Sequence, residues 1–222
     1  MESDELLVLR QRPEWRAAVG RLQNLADEFG NEARTAAHKY AAEYAKRRGS
    51  MVIDVVASRQ RRYVERVLPM VKRWEADHQP ATLEVLAETP PDAATYGLLP
   101  SEPVTMQTIA RNLTQLIRDL RTDEDTGCRI WADSVQVLEH AHRLDPVVGA
   151  VPGIGPALFA YLRMRCGADA LKPDLRVAKA LRGLGFTVPG DTHSIMVLAR
   201  AAAAEIDFPL LSLDQLLWNS QD

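Results

Sequence analysis

The seven residues Val151-Pro152-Gly153-Ile154-Gly155-Pro156-Ala157 have the spacing most able to do chemistry. Two glycines around one apolar residue permit a tight turn with positive φ and close backbone approach. The apolar run Leu158 to Leu162 follows at once, so the turn opens a helix. The free N–H groups and positive dipole end of a helix N-terminus favour an anion, such as a nucleic-acid phosphate. Ile154 is expected to pack down and fix the turn. The plain alternative is a helix–helix turn that happens to be glycine-rich. About twenty residues later, Pro173 starts a new element and Asp174 stands at its N-terminus. Asp174 is then either an N-cap, as most Asp there are, or a carboxylate facing a cleft opposite the turn.

Other ligand chemistries are limited by composition. The 222 residues include only Cys128 and Cys166, too few for a disulfide scaffold or a four-cysteine metal or iron–sulfur site. Apolar residues make up 46%, which excludes an intrinsically disordered chain. The opening Met1-Glu2-Ser3-Asp4-Glu5 is acidic where a secretory signal is basic. The longest uncharged stretch, Pro146 to Leu162, is broken by Pro and Gly and cannot be a membrane helix. A soluble, cytoplasmic protein without a membrane partner is expected.

The net charge of -3 hides local bias. Arg59 to Arg66 holds four Arg and one Glu, and Arg163 to Arg182 holds six Lys/Arg and two Asp. Glu75 to Glu102 and Glu205 to Asp222 carry acids and no Lys or Arg. The basic segments are either binding surfaces or solvated helix faces.

The elements that must position these residues read as helices, and the expected class is all-α. An amphipathic run from Pro13 through Trp15, Val19, Leu22, Leu25 and Phe29 is expected to stop at Gly30. Asn31 would cap a second run ending near Gly49, and Ser50 a third, through Val52, Ile53, Val56, Val64 and Leu68. Leu83 to Leu86 forms a short helix, and Thr89 to Pro103 a loop with at most one helical turn. Helices follow at Met106 to Leu120, at Val135 to Ala141, from about Leu175, from Thr192 to Ile206, and at Leu213 to Trp218.

The order of these features resembles the helix-hairpin-helix, Gly/Pro-Asp superfamily of base-excision DNA glycosylases, which includes endonuclease III. Besides the hairpin and Asp174, Val52-Ile53-Asp54-Val55-Val56-Ala57-Ser58-Arg59-Gln60 resembles the family helix ending in Ser-x-Gln. Ala110-Arg111-Asn112-Leu113 and Leu213-Asp214-Gln215-Leu216-Leu217-Trp218 resemble two further family helices, so the likeness spans Met51 to Trp218.

The resemblance implies two helical lobes with a DNA-binding cleft between them: 1–50 joining the C-terminal helices, 51–145 as a helical-barrel lobe, and 146–222 with the hairpin, Asp174 and the C-terminal helices. It implies that Gly153, Ile154, Gly155 and Ala157 grip the backbone of double-stranded DNA, with Na+ or K+ on hairpin carbonyls and no other cofactor. Gln60 matches the residue that fills the gap left by a flipped nucleotide. Leu98 or Leu99 is a second wedge candidate, with ordinary loop packing as the alternative. Asp174 matches the essential aspartate, which stabilises oxocarbenium-like charge as the N-glycosidic bond breaks. Relatives that also cut the strand carry Lys where this chain has Ala157, so the implied enzyme is a monofunctional, monomeric hydrolase. Lys172 is read as a phosphate contact or solvated side chain rather than a nucleophile. Arg59, Arg61, Arg62, Arg163, Arg165, Lys172, Arg176 and Lys179 would line the DNA-facing groove. Trp15, His38, Tyr40, Tyr44 and Asp54 are base-pocket candidates, each with core packing as the alternative. Asp54, inside an apolar run, is a buried ion pair, a surface residue or a base-reading acid. The base excised, damaged or phage-modified, is left open. So is a non-catalytic DNA-structure-binding protein.

Overall fold

The computed structural model of the chain describes residues 4–220. The first three residues of the acidic opening (Met1, Glu2 and Ser3) and Asp222 of the acidic tail lie outside the described residues. Every regular element described is helical, so the all-α class is observed. The helices are α1 (Asp4–Leu9), α2 (Trp15–Ala42), α3 (Arg48–Ala57), α4 (Leu68–Asp77), α5 (Leu83–Glu88), α6 (Ala93–Tyr96), α7 (Glu102–Leu120), α8 (Glu124–Ser134), α9 (Pro156–Arg165), α10 (Leu175–Gly183), α11 (Thr192–Glu205) and α12 (Leu210–Asn219). None is long and apolar enough to cross a membrane.

The chain folds as two compact units: Met1–Tyr40 with Asp169–Asp222, and Ala41–Ala168. The segment expected as one piece, 146–222, is therefore divided at 168/169, and residues 41–50 fall with 51–168.

In the unit formed by 41–168, α3 is the centre. Every one of its ten residues is buried, and it packs against α4, α5, α7 and α9. Its apolar side chains Met51, Val52, Ile53, Val55 and Val56 have Trp74, Leu83, Leu86, Met106, Ile109 and Phe159 as fellow core residues. Burying an aliphatic side chain of this size contributes about 1.5–3 kcal/mol. Only polar groups with partners are cheap in such a position. Arg48 meets Asp125 at 2.6 Å and the Arg165 carbonyl at 3.0 Å.

In the other unit, α2, α10, α11 and α12 share a core that includes Trp15, Ala18, Leu22, Leu181, Phe186, Leu198, Ala202, Leu213 and Leu217. Each of α10 and α11 is started by an Asp. The Asp174 carboxylate accepts from Arg176 and Val177, and that of Asp191 from Ser194.

Three expected boundaries are corrected. There is no break at Gly30 and no cap at Asn31, because α2 runs through both. The glycine serves packing instead: a Cβ there would lie 3.2 Å from the Phe208 ring. Ser50 lies inside α3, and the run beyond it is not one helix. A five-residue π-type turn, Tyr63–Val67, joins the stretch after α3 to α4, with Pro69 in the first turn of α4. The helix expected over Val135 to Ala141 is replaced by one 3₁₀ turn, Gln136–Leu138, and a second, His142–Leu144, follows it. Val135 is buried whereas Val137 is 87% exposed, so the apolar positions there do not share one core-facing side. α1 and α8 were not foreseen. The single turn inside Thr89 to Pro103 is α6.

Candidate functional site

The 151–157 segment forms the tight turn expected of it. The Val151 carbonyl accepts the Ile154 N–H at 3.1 Å, and Ile154 is buried. Gly153 sits at φ +93°, where L side chains are strained, and a Cβ there would meet Thr105 Oγ1 at 3.1 Å. The Thr105 hydroxyl donates to the Pro152 carbonyl at 2.9 Å, tying the turn to α7. Gly155 then becomes the N-cap residue of α9, with Pro156 in the first turn and no side chain capping that end. Such an end suits an anion. Beside it lies a cavity of about 350 Å³, lined by Arg59, Thr105, Thr108, Pro152 and Gly153 among others.

Asp145 organises the approach to this turn, and sequence reasoning missed it. Its carboxylate is buried and accepts from Trp131 Nε1 and from the N–H groups of Val147, Val148 and Gly149 at 2.9–3.2 Å. The available signal was Asp-Pro ahead of a glycine, a turn-initiating pattern. The element preceding the turn is a 3₁₀ turn rather than the expected helix ending near Leu144.

The hairpin carbonyls are the groups expected to hold Na+ or K+. Val151, Pro152 and Gly155 already accept protein hydrogen bonds, and the Ile154 carbonyl faces the His142 ring. Among the described residues there is no group of three or more His, Cys, Asp or Glu able to hold a metal ion.

Asp174, in the unit formed by 1–40 and 169–222, uses one oxygen as a helix cap. Its Oδ1 accepts from Arg176 N at 2.9 Å and Val177 N at 3.0 Å. Its Oδ2 lies 3.7 Å from Lys172 Nζ, and its side chain is 27% exposed. The two N–H groups engage one oxygen, and the other lies in ion-pair range of Lys172. Asp214 lies close by in the same unit, and burial together with the Asp174 charge pushes its carboxyl up to about 7.

The remaining candidates divide. Gln60 is exposed beyond the end of α3 at φ +56°, uncommon for a residue other than glycine. Arg59 is exposed and lines the cavity, and Leu99 is 53% exposed. Ala157 is half-buried in the first turn of α9. Arg176 lies 3.5 Å over the Trp218 ring. His38 is exposed on α2, and Tyr40 is half-buried.

Burial decides the place of six residues. Leu98 is buried loop packing. Trp15 belongs to the core, edge-on to Phe186 with its Nε1–H on Glu205 at 3.0 Å. Arg163 is buried, with Nε donating to the Ala132 carbonyl and Nη1 3.5 Å from Glu139. Arg165 and Tyr44 are buried together, with the guanidinium 5.0 Å from the ring centroid. Asp54 is the ion pair among its three alternatives. It is fully buried with Oδ2 2.9 Å from Arg165 Nη2 and accepts from Tyr161 Oη at 3.0 Å. Arg61 is likewise taken, in a two-pronged pair with Glu102 at 2.7 Å.

Burial raises Asp54 against the opposing pull of Arg165, and its Oδ1 has no hydrogen-bond partner. Tyr63, carried into this cluster by the π-type turn, is pushed up to about 12 by burial and by the Asp54 charge. None of the cavities described is lined by Asp54.

No protein-family model, curated protein or solved structure matches the chain.

Proposed function

We propose that the chain is a monofunctional DNA glycosylase of the helix-hairpin-helix, Gly/Pro-Asp type. It would turn a damaged or modified base out of double-stranded DNA and hydrolyse its N-glycosidic bond. The observation that carries this reading is the carboxylate of Asp174, with one oxygen fixed by two N–H groups and the other 3.7 Å from Lys172 Nζ. The uncapped start of α9 and the positive-φ Gly153 turn support it as a grip on a phosphate. Gln60, exposed at positive φ, supports it as the residue that fills the vacated stack.

In the proposed reaction the C1′–N bond breaks and its electron pair leaves with the base, which takes up a proton. Cationic charge grows on the sugar, and the Asp174 carboxylate stabilises it. Water then adds its oxygen at C1′ and gives up a proton. The products are a free base and an abasic site. Ala157 offers no amine, so no Schiff base forms and the strand stays intact.

A second reading, DNA binding without turnover, is favoured by one fact: Asp174 already makes the two hydrogen bonds of an ordinary N-cap. The test is base release from duplexes each holding one lesion or modified base, hydroxymethylated and glucosylated phage DNA included, with and without alkali. Strand cleavage only after alkali, lost in Asp174→Asn, is expected. Cleavage without alkali would refute the Ala157 argument. Silence across the panel with salt-sensitive binding intact would favour the second reading.

A further inference from the structure

The segment carrying Asp174 is tied to α12 at three points, all inside the unit formed by 1–40 and 169–222. Asp169 Oδ1 accepts the Leu211 N–H at 2.9 Å, at the start of α12. Asp214 Oδ1, from the middle of α12, accepts the Lys172 N–H at 3.0 Å. Arg176 Nη2 donates to the Trp218 carbonyl at 2.9 Å, with its guanidinium over the Trp218 ring. Asp214 is the innermost tie, at 7% exposure. Its other oxygen takes the Gln215 amide at 3.2 Å.

The Lys172 peptide relays this tie to Asp174. Its N–H goes to Asp214, and the Lys172 carbonyl accepts the Asp174 N–H at 2.9 Å. Asp174 in turn holds the first N–H groups of α10. An unbroken line of hydrogen bonds therefore joins α12, the 172–174 turn and α10.

A neutral acceptor could make the same tie more cheaply. A buried carboxylate is disfavoured by desolvation, and a second carboxylate close by disfavours it further. The charged groups acting on Asp214 from the 172–174 turn are Lys172 and Asp174, and the turn's ammonium and N–H only partly offset the burial. From α10, Arg176 is engaged with the Trp218 ring and carbonyl of α12. A group so costly to the fold points to the site it supports.

We infer that Asp214 is the positioning residue for Asp174, fixing the aim of that carboxylate through the main chain of Lys172. This deepens the glycosylase reading and rests on it. Asp214 touches no substrate. It sets where Oδ2 of Asp174 stands, and displacement of a reacting group by about 1 Å lowers a rate by about a hundredfold.

Single-turnover base release between pH 5 and 9, by the full chain, tests this with Asp214→Ala and Asp214→Asn. Asp214→Ala is expected to lower the rate about a hundredfold, with DNA affinity unchanged. Asp214→Asn keeps an oxygen for the Lys172 N–H, so it is expected to recover about tenfold of that loss. It should also lack the near-neutral inflection that wild type owes to Asp214. A wild-type rate and pH profile in Asp214→Ala would overturn the inference.

Amide hydrogen exchange gives a readout independent of activity. The Lys172, Arg176 and Val177 N–H groups should lose protection at least tenfold in Asp214→Ala and regain most of it in Asp214→Asn. Unchanged protection at Arg176 and Val177 would overturn the positioning role. If wild type releases no base from any duplex, the glycosylase reading fails, and these exchange rates still decide whether Asp214 sets the Asp174 cap.

Discussion

Replacing Arg165 with Met removes a buried charge and keeps most of the side-chain volume. Asp54 is 0% exposed, and its Oδ1 already lacks a partner. Without Arg165, the Tyr161 hydroxyl at 3.0 Å is the chief remaining donor on Oδ2. Breaking one side of such a pair costs about 3–5 kcal/mol, because the surviving charge stays buried. Asp54→Asn should cost less, about 1.5–3 kcal/mol, since Arg165 keeps Glu43 and the Tyr63 and Tyr161 hydroxyls. In the double variant a neutral amide faces a neutral thioether, so its cost should fall short of the sum by about 1–3 kcal/mol.

The assay is urea unfolding of wild type, both single variants and the double variant, followed by tryptophan fluorescence. pH gives an internal control. Asp54 binds its proton more tightly in the folded state than in the unfolded one, and losing Arg165 strengthens this. The deficit of Arg165→Met is therefore full at high pH and shrinks as pH falls toward the unfolded carboxyl value. Additivity of the two variants within about 0.5 kcal/mol, or a deficit that ignores pH, would refute the pairing. Either result would reopen Asp54 as a base-reading acid.

Four further outcomes are expected. Asp174→Ala should lose about 1 kcal/mol of stability with its cap, and Asp174→Asn only a few tenths, so abolished base release in the Asn variant separates chemistry from folding when melts and activity are measured together. Gly153→Ala, forced to φ +93° against Thr105, should cost about 1–3 kcal/mol in thermal unfolding and weaken DNA binding. Asp214 lies about three units above its ordinary 3.8, so at about 1.4 kcal/mol per unit its ionisation opposes folding by up to about 4 kcal/mol. That penalty is absent below pH 4 and complete above pH 7, so Asp214→Asn should gain on wild type across that interval in urea midpoints. Eight cations were expected in the DNA-facing groove, and Arg61, Arg163 and Arg165 are already paired inside the fold. The log–log salt slope of DNA binding should therefore not exceed about five contacts' worth, near -4.5, and a slope near -7 would refute that accounting.

The parts of the candidate site legible in the sequence are those decided by neighbours along the chain. A Gly-x-Gly turn closes on itself through the Val151 carbonyl and the Ile154 N–H, and Asp174 reaches N–H groups only two and three residues ahead. Residue type and spacing suffice for such structures. The all-α class was legible for the same reason, since apolar periodicity is local. The boundaries failed where a distant partner decides. Gly30 reads as a helix stop until Phe208 is known to lie against it.

For Trp15, Tyr44 and Asp54 the core alternative holds, and Arg165, expected in the DNA-facing groove, shows why the chain order hides it. Along the chain it belongs to a positive segment and looks like a phosphate contact. Its partners Glu43, Asp54 and Tyr63 come from more than a hundred residues upstream. Tyr63 reaches it through a π-type turn that no hydropathy pattern announces. A run of charges reports where cations enter the chain, whereas their availability depends on which acids the fold brings to them. Asp54 carries the converse lesson. An acid inside an apolar helical run is costly unless its counter-ion is also buried, so its position already implied a buried cation elsewhere in the chain. The nearly inaccessible arginines of α9 were where to look for it: Arg163 pairs with Glu139, and Arg165 is the one that answers Asp54.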